Sequence, residues 1–189
     1  MSQSVLLKNI ADAAKVLETL KAFDAQVEKA AALIAESLRT GGKLMACGNG
    51  GSAADAAHLT TEFVVRFVRD RRPYPAIAFT THGGDLTAIS NDYSYNEAFA
   101  RQVDAFAKPG DVFVAFTTSG KSPSILRAIE RAKNLGITTI AFLGRDGGTC
   151  KGLGDVEFIV TSETTARVQE AHKLLLHTIC ERVEELLGH

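Results

Sequence analysis

Lys43-Leu44-Met45-Ala46-Cys47-Gly48-Asn49-Gly50-Gly51-Ser52 is an apolar run that breaks into a glycine-rich turn. Lys43 to Cys47 reads as a short buried strand. A helical pattern follows at once, from Ser52 to about Val68, with Ser52 a natural N-cap. Pro73 and Pro75 break that helix, and Ala76 to Thr80 is the next strand. The alternation then continues to the end of the chain. Asp85 to Ser90 and Asn96 to Phe106 read as shorter helices, Asp111 to Phe116 as a buried strand, and Thr117 to Ser122 as a polar loop. Pro123 opens a helix that Gly136 stops, Thr138 to Leu143 is a strand, and Gly147-Gly148 marks a loop. Val156 to Val160 is the last strand and Ala166 to Leu187 a long closing helix. Upstream, Val5 to Leu20 and Ala25 to Leu38 are amphipathic helices, the second ended by Gly41-Gly42.

Five short strands separated by helices, several of them nearly all apolar, predict an α/β fold. The expected architecture is a doubly wound five-stranded parallel sheet with helices on both faces, plus an N-terminal helical extension. Residues 1–40 form that extension and 41–189 the core of a single domain, with no repeat or linker between them. At 189 residues the chain suits one well-buried domain, and 46% hydrophobic residues suit a globular one.

Lys+Arg 21 against Asp+Glu 22 gives a net charge of −1, so no field favours nucleic acid or an anionic membrane. No apolar run approaches the roughly 20 residues of a membrane span. Met1 to Lys8 lacks the basic-then-apolar order of a signal peptide. Cys47, Cys150 and Cys180 are odd in number and widely spaced, which predicts reduced thiols in a cytoplasmic protein.

Ligands in parallel sheets gather at the carboxyl ends of the strands, and both polar loops follow strands. Gly48-x-Gly50-x-x-Ala53 fits a dinucleotide fingerprint, but that fingerprint wants an acidic residue ending the second strand, and here it ends Phe79-Thr80-Thr81. Gly120-Lys121-Ser122 is no Walker A loop, because its first glycine would fall on Ala115 inside a strand. A phosphate or sugar cradle made of two loops remains. Thr117, Thr118, Ser119 and Ser122 place four hydroxyls within six residues, just ahead of a helix N-terminus. One such hydroxyl would mean only a helix cap; four after a buried strand point to an anion.

His58 and Glu62 share one face of the helix that begins at the glycine loop. An i,i+4 pair of this kind is frequently a surface ion pair. On the closing helix, Gln169 and His177 diverge by about 80° and could reach a common centre from one side. The four form a plausible zinc set of nitrogen and oxygen donors, with His172 a competing ligand that spacing alone does not exclude.

Cys47-Gly48-Asn49-Gly50-Gly51-Ser52-Ala53-Ala54-Asp55, His58-x-x-x-Glu62, Asn91-Asp92, Thr117-Thr118-Ser119-Gly120-Lys121-Ser122 and Arg167-x-Gln169-Glu170-x-His172 occur in order. Over nearly its whole length the chain resembles the bacterial phosphoheptose isomerases of the sugar isomerase (SIS) superfamily. The resemblance implies a homotetramer with active sites at subunit interfaces, and one zinc per subunit on His58, Glu62, Gln169 and His177. Substrate contacts are then expected from Asn49, Gly50, Gly51, Ser52, Glu62, Asn91, Asp92, Thr117, Thr118, Ser119, Ser122 and Gln169. The implied reaction converts sedoheptulose 7-phosphate to D-glycero-D-manno-heptose 7-phosphate, with Glu62 as base and His177 as its acid-base partner.

Two positions depart from the family pattern. Thr117 stands where a serine is usual, which keeps the hydroxyl. Ser90 stands where Gly or Ala usually precedes Asn-Asp, and would be strained if the backbone there needs positive φ. Another class of function competes with the enzyme. Some SIS proteins are non-catalytic tetramers that bind a replication initiator or sense sugar phosphates. The scaffold relative lacks the Glu and second His of the metal quartet, whereas this chain retains both.

Overall fold

The computed structural model describes residues 4–189. The expectation for Met1 to Lys8 therefore falls partly on residues 1–3, outside the described residues. Five parallel strands form one sheet: β1 (Leu44–Gly48), β2 (Ala76–Ala78), β3 (Val112–Thr117), β4 (Thr138–Gly144) and β5 (Val156–Val160). The spatial order is β2-β1-β3-β4-β5, so β1 pairs directly with the central strand β3, with Gly48 opposite Phe116. That register sets the glycine loop and the hydroxyl loop side by side at the carboxyl ends of the two strands.

The strands look uniformly apolar in sequence because both faces are buried. Leu44 and Ala46 of β1, Val112, Val114 and Phe116 of β3, and Ile140 and Phe142 of β4 join one core. Met45 and Cys47, Phe113 and Ala115, and Ala141 and Leu143 join the other. The strict alternation is the pleat itself, read out as two cores.

Helices α1 (Val5–Thr19), α2 (Asp24–Arg39), α3 (Gly51–Val64) and α7 (Thr165–Leu186) supply the first face, with a 3₁₀ turn (Leu20–Phe23) between α1 and α2. Helices α4 (Gly83–Asp92), α5 (Ala100–Phe106) and α6 (Pro123–Asn134) lie on the second. None of the described helices is long and apolar enough to cross a membrane. All three cysteines are buried and unpaired, and burial raises their thiol pKa values, Cys150 to about 11. They are packing residues and not nucleophiles.

Four local expectations change. Gly50, and not Ser52, is the N-cap of α3, because its φ of 57° and ψ of −122° turn the chain one residue before the helix. Ser52 is then the second helical residue. Helix α3 stops at Val64 rather than Val68: the next residues turn to donate their backbone N–H groups to Glu184 of α7. The expected helix over 96–106 divides into a 3₁₀ turn (Tyr95–Glu97) and α5. Ser90 lies inside α4 and donates its hydroxyl to the Leu86 carbonyl at 2.6 Å. Arg145 is the one non-glycine residue with positive φ among the described residues, so Ser90 is unstrained.

Candidate active site

Glycine 48 lets the two loops meet. A Cβ there would stand 2.3 Å from the Ser52 carbonyl oxygen, so only glycine lets β1 pass this close to the first turn of α3. The space that results is a cavity of about 80 Å³ lined by Asn49, Ser52, Phe116, Thr117, Thr118, Ser119 and Ser122. Larger hollows exist elsewhere on the surface, but the chemistry gathers at this small one. It accommodates a phosphate-sized group and not a whole sugar.

The hydroxyls around it are oriented by their own backbone. Thr117 Oγ1 accepts from the Gly120 N–H at 3.2 Å, and Ser119 Oγ accepts from the Lys121 N–H at 3.2 Å. Thr117 Oγ1 also lies 3.5 Å from Ser122 Oγ, and each of these hydroxyls carries a proton that can be donated to an anion. Ser122 is the N-cap of α6, with Pro123 in its first turn, so a helix dipole ends at the same place. Asn49 is held at both ends: its amide donates to Ser124 Oγ at 3.1 Å, and its carbonyl accepts from the Tyr95 hydroxyl. Tyr95 and Ser124 escaped the sequence reading, since nothing in their local pattern marks them.

About two and three turns along α3, His58 and Glu62 face α7. His58 Nε2 lies 2.6 Å from Glu62 Oε1 and 3.3 Å from His177 Nε2. One donor atom from each of the three lies within 4.8 Å of the other two. Burial, then the neighbouring His58 and Lys173, lowers the His177 pKa and favours its neutral, lone-pair form. Two imidazoles and a carboxylate are among the donors zinc accepts.

Lys173 completes the group, with Nζ 2.8 Å from Asp55 Oδ1 and 3.0 Å from His58 Nδ1. Lying between Asp55 and Nδ1, the ammonium holds the His58 ring with Nε2 turned toward Glu62 and His177. Asp55 stood in the quoted motif without a role, and Lys173 in none.

The remaining expected residues are distributed around this core. Gln169 packs on the same α3–α7 seam nearer the glycine loop: a Cβ on Gly51 would stand 2.1 Å from its amide nitrogen. His172 is fully buried, with Nε2 3.2 Å from the Leu143 carbonyl, and so is separated from the cluster as a core histidine. Gly50 and Gly51 open α3 beside the cavity. Asn91 and Asp92 end α4, exposed and hydrogen-bonded to each other at 2.9 Å, outside the cavity's lining.

The SIS domain family model matches residues 9–144. The chain is 49% identical over 164 residues to a phosphoheptose isomerase of Clostridium acetobutylicum, covering 86% of this chain and 84% of that one. It belongs to the phosphoheptose isomerase family. A solved phosphoheptose isomerase structure from Francisella tularensis superposes with a TM-score of 0.91 at 34% identity, covering 95% of this chain and 96% of that one. The enzyme from Neisseria gonorrhoeae gives 0.88 at 35% identity, over 95% and 97%. The family's five-stranded SIS sheet and N-terminal helices are those described above.

Proposed function

We propose that the protein is a cytoplasmic isomerase that converts sedoheptulose 7-phosphate to D-glycero-D-manno-heptose 7-phosphate, the first step of nucleotide-activated heptose synthesis. The observation that carries the proposal is the meeting of Glu62, His58 and His177 beside a phosphate-sized hydroxyl cradle. A scaffold or sugar-phosphate sensor has use for the cradle but none for the acid-base group.

Spacing supports a long substrate. Ser52 lines the cradle, and His58 lies six residues further along α3, a rise of about 9 Å. With its phosphate in the cradle, an extended seven-carbon sugar reaches the cluster with its carbonyl end.

The chemistry moves a proton between adjacent carbons through an enediol. Glu62 takes the proton from C1 and His177 shuttles the proton at the neighbouring oxygen. Asn49, Ser52, Thr117, Thr118, Ser119 and Ser122 fix the phosphate, while Gly50, Gly51, Asn91 and Asp92 contact the sugar. His58, Glu62, Gln169 and His177 would hold one zinc per subunit, and zinc there would supply Lewis-acid polarisation of the substrate oxygens. Because Asn91 and Asp92 stand outside the cradle of the single chain, a homotetramer with sites at its subunit interfaces fits this assignment.

The test is incubation with sedoheptulose 7-phosphate, with and without a chelator, followed by NMR of the sugar. The aldose phosphate is expected, and its formation should be lost with chelator and restored by zinc. No turnover in the zinc-loaded protein would remove the isomerase reading and leave a sugar-phosphate receptor.

A further inference from the structure

Glu184 lies two turns beyond His177 on α7 and is almost wholly buried. Its Oε1 accepts from the Phe67 N–H at 2.9 Å and from Arg71 Nε at 2.8 Å. Its Oε2 accepts from the Val68 and Arg69 N–H groups, both at 3.0 Å. Arg71 in turn donates to the carbonyl oxygens of Glu62, at 2.6 Å, and Phe63, at 3.0 Å. One buried carboxylate and one guanidinium therefore shape the turn that follows α3. They fix two backbones at the cluster, that of Glu62 and that of Phe67.

The ring of Phe67 is stacked on His177, with centroids 5.4 Å apart and planes inclined by 29°. His58 meets His177 edge-on from another side, at 4.9 Å and 64°. A working histidine is ordinarily oriented by a hydrogen bond at its second nitrogen. Nδ1 of His177 has no hydrogen-bond partner among the described residues. Face packing takes over that task.

We propose that Phe67 is a positioning residue for His177, held in place by the Glu184–Arg71 clamp. This rests on the isomerase reading for its kinetic consequence, but not for its geometry. The ring of Phe67 limits His177 to orientations in which Nε2 faces His58 and Glu62. An aliphatic side chain would fill the space without holding the plane. Tyrosine would keep the aromatic plane, at a residue that is only partly buried.

Phe67→Leu and Phe67→Tyr test this by kinetics and by NMR of the His177 ring protons. The leucine variant should lower kcat about tenfold or more with KM within twofold, and the tyrosine variant should restore it. In the wild type the His177 resonances should carry an upfield ring-current shift that the leucine variant loses and the tyrosine variant keeps. Wild-type kcat in Phe67→Leu, an equal loss in both variants, or unmoved His177 resonances would overturn the proposal. A wild-type protein without isomerase activity would sink the isomerase reading alone, because the ring-current shift still reports the stacking.

Discussion

Glu62 and His172 show how a neighbourhood decides what a polar side chain does. Glu62 sits partly open beside two imidazoles, with its backbone held by Arg71. Glu62→Gln keeps the shape and removes the base, so kcat should fall on the order of 10²–10⁴-fold. Phosphate affinity should change little, because the cradle is made by other residues. Near-wild-type turnover, measured by the NMR assay, would take Glu62 out of the mechanism. His172 is the opposite case. Buried among Phe116 and Phe142, with its second nitrogen unpartnered, it has a pKa pushed down to about 4 by loss of solvent, although the Leu143 carbonyl pulls the other way. The unfolded chain takes up a proton near pH 6.5 while the fold refuses it until about pH 4. The neutral ring therefore costs nothing above that window. Within it, stability should fall with falling pH by at most about 1.4 kcal/mol per unit. Thermal melts from pH 7 to pH 4 should show the slope, and His172→Leu should flatten it.

Elements explain which parts of the site can be read from sequence. The strand, glycine loop and helix around Gly48 are legible because each carries a local signal: apolar run, glycines, helical spacing. The same holds for His58 and Glu62, one turn apart on a single helix. The end of α3 is not legible, since what stops it is Glu184, 117 residues away from Phe67. His177 could not be separated from His172 by spacing either. The difference is that one faces α3 and the other faces the sheet, which is a matter of how α7 packs and is implied only by resemblance. Gly48 and Gly51 test the packing of α3 separately. Gly48→Ala places a Cβ against backbone that cannot move, so the variant should unfold at lower temperature by a loss of about 1–3 kcal/mol. Gly51→Ala meets only the end of the Gln169 side chain. It should keep its melting temperature within a few degrees yet bind zinc about tenfold or more weakly, as read by competition with a chromophoric chelator. Unchanged zinc affinity in that variant would remove Gln169 from the ligand set.

At the scale of the whole molecule, α1 is the element that one chain leaves unfinished. It buries none of its residues, and Val5, Leu6, Leu7 and Ile10 are all more than half exposed. Adjacent apolar side chains in that state favour association, at about 1.5–3 kcal/mol for each one fully covered. The unplaced Asn91-Asp92 pair needs an approaching surface as well, and both needs are met if copies of this chain assemble through the N-terminal helices. Light scattering on the purified protein should then give about four times the 20.2 kDa of the chain. Leu6→Asp combined with Ile10→Asp puts charge on the exposed face of α1 without touching the sheet cores, so the fold should persist by circular dichroism while the assembly dissociates. If the active sites span subunits, turnover should fall with the mass as protein is diluted, and rise again on concentration of the wild type but not of the variant. A folded monomer with full specific activity would show instead that each chain carries a complete site, and would return Asn91 and Asp92 to the role of a helix end.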